Sequence, residues 1–356
     1  MNKLEEARKK INEIDEQMAK LFSQRMRVVE DVVAYKKANQ LPILDQSREQ
    51  FVIDHNLQYI EEDKYKEYYK EMMVKMMSIS REYQKTIIHH DQVGYQGMEG
   101  AFSYSATLKL FPDYQLKHYD SFEEVFDALT NSDIAYGIVP IQNSYTGEIG
   151  EVLDLLIQYP LYICKNYPLT ISQNLLGVKG SKLEDIKQVY SKDHALNQSM
   201  QFLKGRGYEL IPYPNTAMAA EYVARCNDPS KAAIGSKDNA KLYGLEILAS
   251  DINTSSQNTT RFIALSKNLE KDGDVFALAL IIPHTPGSLS NAMQIIASHG
   301  YNMQNIISRP LKSRPWEFYF YLEIEGNYAS DEANKMMEEL KQACEQVKLL
   351  GTYKKG

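Results

Sequence analysis

Along the first forty residues, Leu4, Ala7, Ile11, Ile14, Met18 and Leu21 recur at alternating steps of three and four, and the stripe resumes at Val28 and Val32. Such steps keep one face of an α-helix apolar, so the pattern predicts a long helix with a buried seam. Residues 1 to about 88 hold one proline, Pro42, no glycine and long stretches of good helix formers, which predicts an all-helical region. Glycine first appears at Gly94. From there to about residue 265, β-rich runs such as residues 134–139 alternate with helical stretches such as Ser121 to Thr130, the alternation of an α/β domain. A polar stretch, residues 266–274, reads as a linker, and the apolar runs beyond it follow a β-α-β-β-α-β order, the split βαβ arrangement. The expectation is three domains, at 1–88, 92–267 and 274–356.

Length and composition fit that division. A chain of 356 residues suits two or three domains, and 44% hydrophobic with 24% charged residues excludes wholesale disorder. The N-terminus lacks the apolar core of a signal peptide and no run approaches a membrane span, so a cytoplasmic protein without a membrane partner is expected. Cys164, Cys226 and Cys344 are far apart and form no CxxC pair, and His89 and His90 have no third ligand at a metal-like spacing, so neither disulfides nor a metal is expected. A net charge of −7 argues against nucleic acid as a partner. Any anionic ligand must be held by locally placed cations.

The first helix offers two. Arg25 falls on the apolar stripe where a core would take leucine, and a buried unpaired guanidinium is strongly unfavourable. Lys36 lies on nearly the same face, roughly 16 Å along the axis. Either both converge on one small anion or both snorkel to the surface. After Pro42, Asp45, Arg48 and Glu49 share a helix face, which alone reads as an N-cap followed by a solvated ion pair. Further on, Ser80 and Gln84 place a hydroxyl and an amide one turn apart beside an apolar series.

Together, Arg8, Arg25, Lys36, Asp45, Arg48, Glu49, Ser80 and Gln84 resemble the active-site set of the all-helical chorismate mutases across the whole first region. The resemblance implies that Arg25, Arg48 and Ser80 serve the carboxylates of chorismate, that Lys36 and Gln84 serve the ether oxygen as the catalytic pair, and that Asp45 and Glu49 serve the ring hydroxyl. The rearrangement is pericyclic, so the protein needs only to hold a compact conformer and stabilise charge on the breaking ether. Arg8 lies seventeen positions before Arg25, about 25 Å up a continuous helix, and cannot reach the same small ligand within one chain. A homodimer or higher homo-oligomer is therefore expected, as in the family, whose intertwined dimers take one arginine from the partner.

In the middle region, Gly94, Gly97 and Gly100 form neither a GxGxxG nor a GxxxxGK[ST] pattern, so no nucleotide cofactor is indicated. The segment from Gly97 to Ala106, Val139-Pro140-Ile141-Gln142-Asn143-Ser144-Tyr145-Thr146-Gly147, the run from Ala232, and Asn258-Thr259-Thr260-Arg261-Phe262 resemble the signatures of prephenate dehydratases. That resemblance implies a fold of two lobes around a cleft, like bacterial solute-binding proteins, with Ser103, Gln142, Asn143, Asn258, Thr260 and Arg261 binding prephenate. It makes Thr260 the donor to the departing hydroxyl, a reading that competes with a threonine placed in a strand for its β-branching. Two departures stand out: Gln142 replaces the usual glutamate of PIEN, and Ser191-Lys192-Asp193-His194-Ala195-Leu196 replaces SHPQAL. They leave open arogenate as substrate, or a cleft reduced to ligand binding.

The last region resembles an ACT domain, a ferredoxin-like α+β sensor of amino acids. Gly287, Ser288 and Leu289 stand at its glycine-containing strand-to-helix turn, and Ile307-Ser308-Arg309-Pro310 stands in place of ESRP. The resemblance implies an amino-acid effector, phenylalanine, held by Gly287, Ser288, Leu289, Ser308 and Arg309. Pro-Gly starting a helix and Ser-Arg-Pro ending a strand would explain the same residues structurally. The whole reads as a multi-domain enzyme converting chorismate through prephenate to phenylpyruvate.

Overall fold

The computed structural model describes residues 2–39, 41–254, 258–312 and 314–355. The backbone forms two compact units, one of residues 1–91 with 131–134 and one of 92–130 with 135–356.

The first unit is helical: α1 (Lys3–Ala38), α2 (Gln46–Leu57) and α3 (Lys66–Ile88). Asn2 starts α1 with a reciprocal cap, its side chain accepting from the Leu4 amide while Glu5 accepts from the Asn2 amide. Both α1 and α2 pack on α3 around a small core of Ile53, Met73 and Met77. The seam expected to be buried on α1 is instead open in the single chain. Leu4, Ile14, Leu21 and Val28 are 54%, 56%, 62% and 60% exposed, and Val33 is the one buried residue of the helix. The physical reason is length: α1 runs 36 residues, about 54 Å, and α3 alone cannot cover it.

The second unit begins with β1 (Gln92–Gln96), α4 (Phe102–Leu110), β2 (Gln115–Tyr119), α5 (Phe122–Thr130), β3 (Tyr136–Asn143), β4 (Gly147–Glu148), α6 (Gly150–Gln158) and β5 (Tyr162–Thr170). The chain then leaves for a second sheet, built from β6 (Asn174–Gly177), β7 (Gln188–Ser191), α7 (Asp193–Gln198), α8 (Met200–Leu203), β8 (Glu209–Pro212), α9 (Thr216–Cys226), β9 (Lys231–Gly235), α10 (Lys237–Tyr243) and β10 (Glu246–Ala249). It returns as β11 (Thr259–Ser266), inserted between β5 and β3. β1 pairs in parallel with β2 and β3, and β3 is covered on both faces: Ile138 packs with Val93 in one core and Val139 is fully buried on the other side, which explains the apolar run of β3. Where β11 meets β3 the register slips at Pro140, which has no N–H to give the ladder, and the resulting bulge re-aims the end of β3.

The C-terminal elements follow as β12 (Val275–Ile281), α11 (Ser288–Ser298), β13 (Asn302–Pro310), β14 (Phe318–Glu325), α12 (Asp331–Ala343) and β15 (Gln346–Tyr353). Their four strands form an antiparallel sheet over a core of Phe276, Leu278, Leu322 and Met336. Three domains were expected, whereas this sheet continues the first one: β15 pairs with β5 at Gly351 and Ile163, giving ten strands in all. Gly351 has φ 145°, and a Cβ there would lie 2.1 Å from the Ile163 carbonyl oxygen, so only glycine permits the join.

Candidate active sites

In the helical unit, Arg25 turns inward from α1 and donates to the Ser80 hydroxyl on α3. Burial lowers the Arg25 pKa, the expected cost of drawing a cation off the surface. Ser80 and Gln84 are both buried, and among the described residues nothing pairs with Gln84 Oε1. A buried amide oxygen left without a donor marks a place where a ligand or water belongs. Lys36 is half-buried and donates to the Ile43 carbonyl at 2.5 Å, which brings its ammonium back over the loop after α1.

The second helix is arranged differently from the expectation of two carboxylates free for a hydroxyl. Asp45 caps α2, accepting from the Arg48 amide at 2.9 Å and the Ser47 hydroxyl at 2.7 Å, and these bonds hold its carboxyl below the usual range. Glu49 is engaged by Arg81 at 2.5 Å through both oxygens. Arg81 was missed from sequence; its signal is a second cation beside Ser80. The Arg48 guanidinium lies 5.3 Å over the Phe51 ring, exposed at the surface and open to recruitment by a ligand. Arg8 is exposed and distant from this group along α1.

In the second unit, a cavity of about 520 Å³ opens between the two sheets. Four helix N-termini contribute to its wall: Ala101 to Ser103 at α4, Ile149 at α6, Lys192 at α7, and Asn215 with Thr216 at α9. Unpaired amides and aligned peptide dipoles make such a convergence an anion site, and Lys192 adds the one cationic side chain among its lining residues. Ser103, Asn143, Asn258 and Thr260 all line it.

The polar floor is tightly specified. Asn143 Oδ1 accepts from the amides of Tyr145 and Thr146 at 2.9 and 3.2 Å, so its nitrogen must face the other way. That nitrogen donates to Thr260 Oγ1 at 2.8 Å, to Asn258 Oδ1 at 3.1 Å and to the Thr259 carbonyl at 3.3 Å. Thr260 thus accepts one bond while its own proton, unclaimed among the described residues, is available to the cavity. Asn258, nearly fully buried, donates onward to Gln198 at 2.9 Å, and Gln198 Nε2 lies 2.6 Å from His194 Nε2. Gln198 was not anticipated, although its i+4 spacing from His194 was visible.

Two expected ligand residues do not reach the cavity. Strand alternation sends Arg261 to the face opposite Thr260 and Phe262, where it donates to Glu323 of β14 at 2.7 Å. Burial works against its charge, but the bond and charge of Glu323 override this and raise the Arg261 pKa. Gln142 sits opposite Arg261 on β3 and is likewise outside the lining.

A second cavity, of about 600 Å³, lies at the start of α11 and is lined by Gly287, Ser288, Leu289, Glu317, Phe318 and Phe320, among others. Gly287 caps the helix with φ 87°, a conformation that favours glycine. Ser308 and Arg309 do not line it. Arg309 instead grips Asp154 of α6 at 3.0 and 3.2 Å, where Tyr319 also donates at 2.9 Å. Burial alone would raise the Asp154 carboxyl, but these bonds hold it below its ordinary value. Gly150 leaves the room, since a Cβ there would overlap the Arg309 guanidinium.

Comparison with known proteins places the chain in a family. The prephenate dehydratase family matches residues 93–270, and the type II chorismate mutase family matches residues 7–85. The chain belongs to the bifunctional chorismate mutase/prephenate dehydratase family. It is 29% identical to the bifunctional chorismate mutase/prephenate dehydratase of Enterobacter agglomerans, over 99% of this chain and 96% of that protein. It is 31% identical to arogenate dehydratase/prephenate dehydratase 1 of Arabidopsis thaliana, over 74% of this chain and 71% of that one. The fold of the Arthrobacter aurescens prephenate dehydratase, solved with L-Phe, matches with a TM-score of 0.68 at 24% identity, covering 74% of this chain and 90% of that chain. The chain thus carries both a mutase and a dehydratase of phenylalanine biosynthesis. In the mutase region polar residues cluster on α1, α2 and α3 around a buried hydroxyl and amide; in the dehydratase region they line a cavity whose wall includes helix N-termini.

Proposed function

We propose that Thr260 is the dehydratase's hydrogen-bond donor and that Lys36 and Gln84 stabilise the breaking ether in the mutase. For the dehydratase, the observation that carries the reading is the fixed direction of the Asn143 to Thr260 bond. With its oxygen already accepting, the Thr260 hydroxyl points its proton at a ligand, where it stabilises the leaving ring hydroxyl as the carboxylate departs as carbon dioxide. Lys192 and the converging helix N-termini take the substrate's carboxylates. Arg261 acts on the strand from behind, through Glu323, and does not touch substrate.

For the mutase, the unpaired Gln84 oxygen beside Ser80 and Arg25 supports a buried anion site. An amide oxygen cannot donate to an ether, so the Gln84 NH₂ turns to the ether oxygen on binding. The exposed α1 seam supports a homodimer, since covering each half-exposed leucine or isoleucine contributes about 1 kcal/mol. The partner copy then supplies Arg8.

The C-terminal elements serve as an ACT-type sensor with phenylalanine as effector, its carboxylate on the free amides at Gly287 to Leu289. The Arthrobacter dehydratase, solved as a complex with L-Phe, supports that choice. The hold of Arg309 on α6, whose N-cap Ile149 lines the dehydratase cavity, provides a physical route for the response. Domain boundaries of 1–88, 92–267 and 274–356, a two-lobed dehydratase and a cytoplasmic setting complete the reading.

The test is one assay of purified protein with chorismate, following prephenate and phenylpyruvate separately, with arogenate as a comparison substrate. Both products should form, and Thr260→Ala should stop the second alone. Prephenate turnover that survives Thr260→Ala unchanged would overturn the assignment.

A further inference from the structure

The polar chain behind Thr260 has a direction, and that direction constrains a residue at the cavity rim. Two backbone amides hold Asn143 Oδ1, so Asn143 can only donate to Asn258. Asn258, its oxygen occupied, can only donate to Gln198 Oε1. Gln198, its oxygen occupied in turn, presents an N–H to His194 Nε2 at 2.6 Å. We infer that His194 is a positioning residue for the dehydratase: its Nε2 is the terminal acceptor of a hydrogen-bonded row that starts at the fixed Asn143 amide and holds Asn258 and Gln198 in place beside the Thr260 hydroxyl. The inference rests on the reading of Thr260 as donor.

The chemistry makes the relay a one-way device. Neutral imidazole offers one acceptor nitrogen, whereas imidazolium offers none. Once His194 is protonated it faces the Gln198 N–H as a second donor. Turning the Gln198 amide would set its N–H against that of Asn258, and turning Asn258 would set it against Asn143. Asn143 cannot turn without abandoning two backbone amides. Gln198 and Asn258 are mostly buried in the cavity wall, so an N–H that loses its acceptor there can find a new one only by moving toward the cavity. Protonation therefore breaks the Gln198 to His194 bond and loosens Gln198 and Asn258 beside Thr260.

Few charged groups surround His194. Lys192 and Asp193 are its charged neighbours on the same segment. Across the cavity the facing walls bring Ser103, Asn143, Thr146, Gln173, Asn258 and Thr260, none of them charged. Of the elements packed on α7, α8 has no charged residue. The charged residues of β8 and β9, Glu209 and Lys231, lie at the far ends of those strands opposite Gln188.

The experiment measures prephenate turnover by the full-length protein from pH 5.5 to 8.5 for wild type, His194→Gln, His194→Ala and Thr260→Ala, with mutase activity recorded on each sample as a check of folding. Glutamine keeps an acceptor oxygen of similar reach and does not titrate. In wild type, kcat should fall on the acid side, across the range in which histidine side chains change charge. His194→Gln should keep the alkaline kcat and lose the acid limb, while His194→Ala should lower kcat about tenfold at every pH with KM little changed. An acid limb that persists in His194→Gln, or a wild-type kcat in His194→Ala, would overturn the assignment. A rise in KM alone would make His194 a substrate contact and overturn it as well. Full turnover by Thr260→Ala would instead remove the reading on which the relay rests, and is read from a separate variant.

Discussion

The helical unit and the dehydratase cavity handle the same kind of ligand, a small dianion, by opposite structural means. The dehydratase unit packs its strands within one chain, with Val93, Ile138 and Phe262 at most 2% exposed. The mutase region buries little of itself and leaves Leu21 and Val28 about three-fifths exposed on its longest helix. In the proposed homodimer the partner covers this seam, and a site lying against it draws a residue from the cover. The positive charge follows the same division. In the proposed sites, side chains of α1, α2 and α3 supply it in the mutase, whereas helix N-termini supply most of it in the dehydratase.

Removing the reacting groups tests this contrast most severely. Thr260→Val should reduce prephenate turnover by about three orders of magnitude while the mutase continues, and Lys36→Ala should do the reverse, each read by following the two products separately. A loss of both activities from either change would deny that the sites are independent.

The next largest effect concerns the cover itself. Ile14→Glu combined with Leu21→Glu places charge on the seam without touching any buried residue of the single chain. Mutase activity should fall more than about tenfold, with helicity retained by circular dichroism and dehydratase kcat/KM within about twofold of wild type.

Smaller still is the response to phenylalanine. Arg309→Ala leaves Asp154 without its main partner, so stability should fall by about 2 kcal/mol in urea titration. Inhibition of the dehydratase by phenylalanine should weaken several-fold, although calorimetric binding at the α11 cavity persists. The smallest effect is electrostatic. His299 bridges Glu332 at 2.6 Å and Glu339 at 3.2 Å, and these bonds raise its pKa. A raised folded value means that the stabilisation is complete below the unfolded pKa of about 6.5 and is lost as pH rises through the folded value. Tm should therefore decline between pH 6 and 8 more in wild type than in His299→Gln.

Much of this was legible in the pattern of residues. The change from a seam of threes and fours to glycine-punctuated short runs separates the helical unit from the α/β one, and the order of the final elements follows from their apolar runs. Ser80, Gln84 and Thr260 lie on the helix face or strand face that their neighbours predict. Arg261 was misplaced because a motif of adjacent residues was taken as one site, although a strand sends alternate side chains to opposite faces. Arg309 and Arg81 were illegible for a different reason: their partners, Asp154 and Glu49, are brought to them only by the tertiary fold. The continuity of the two sheets depends likewise on Gly351 meeting Ile163, nearly two hundred residues apart in sequence.

The claim that one site needs two chains and the other needs one is tested most directly by complementation. Arg8→Ala and Lys36→Ala chains, each inactive as a mutase, are mixed under conditions of verified subunit exchange, and Thr260→Ala and Asn143→Ala chains are mixed in the same way. Random pairing should leave about a quarter of the mutase sites intact, because each hybrid dimer contains one site with both residues. The dehydratase pair should show no recovery, since both residues belong to the cavity of a single chain. Mutase activity that fails to return despite exchange, or dehydratase activity that does return, would contradict the account.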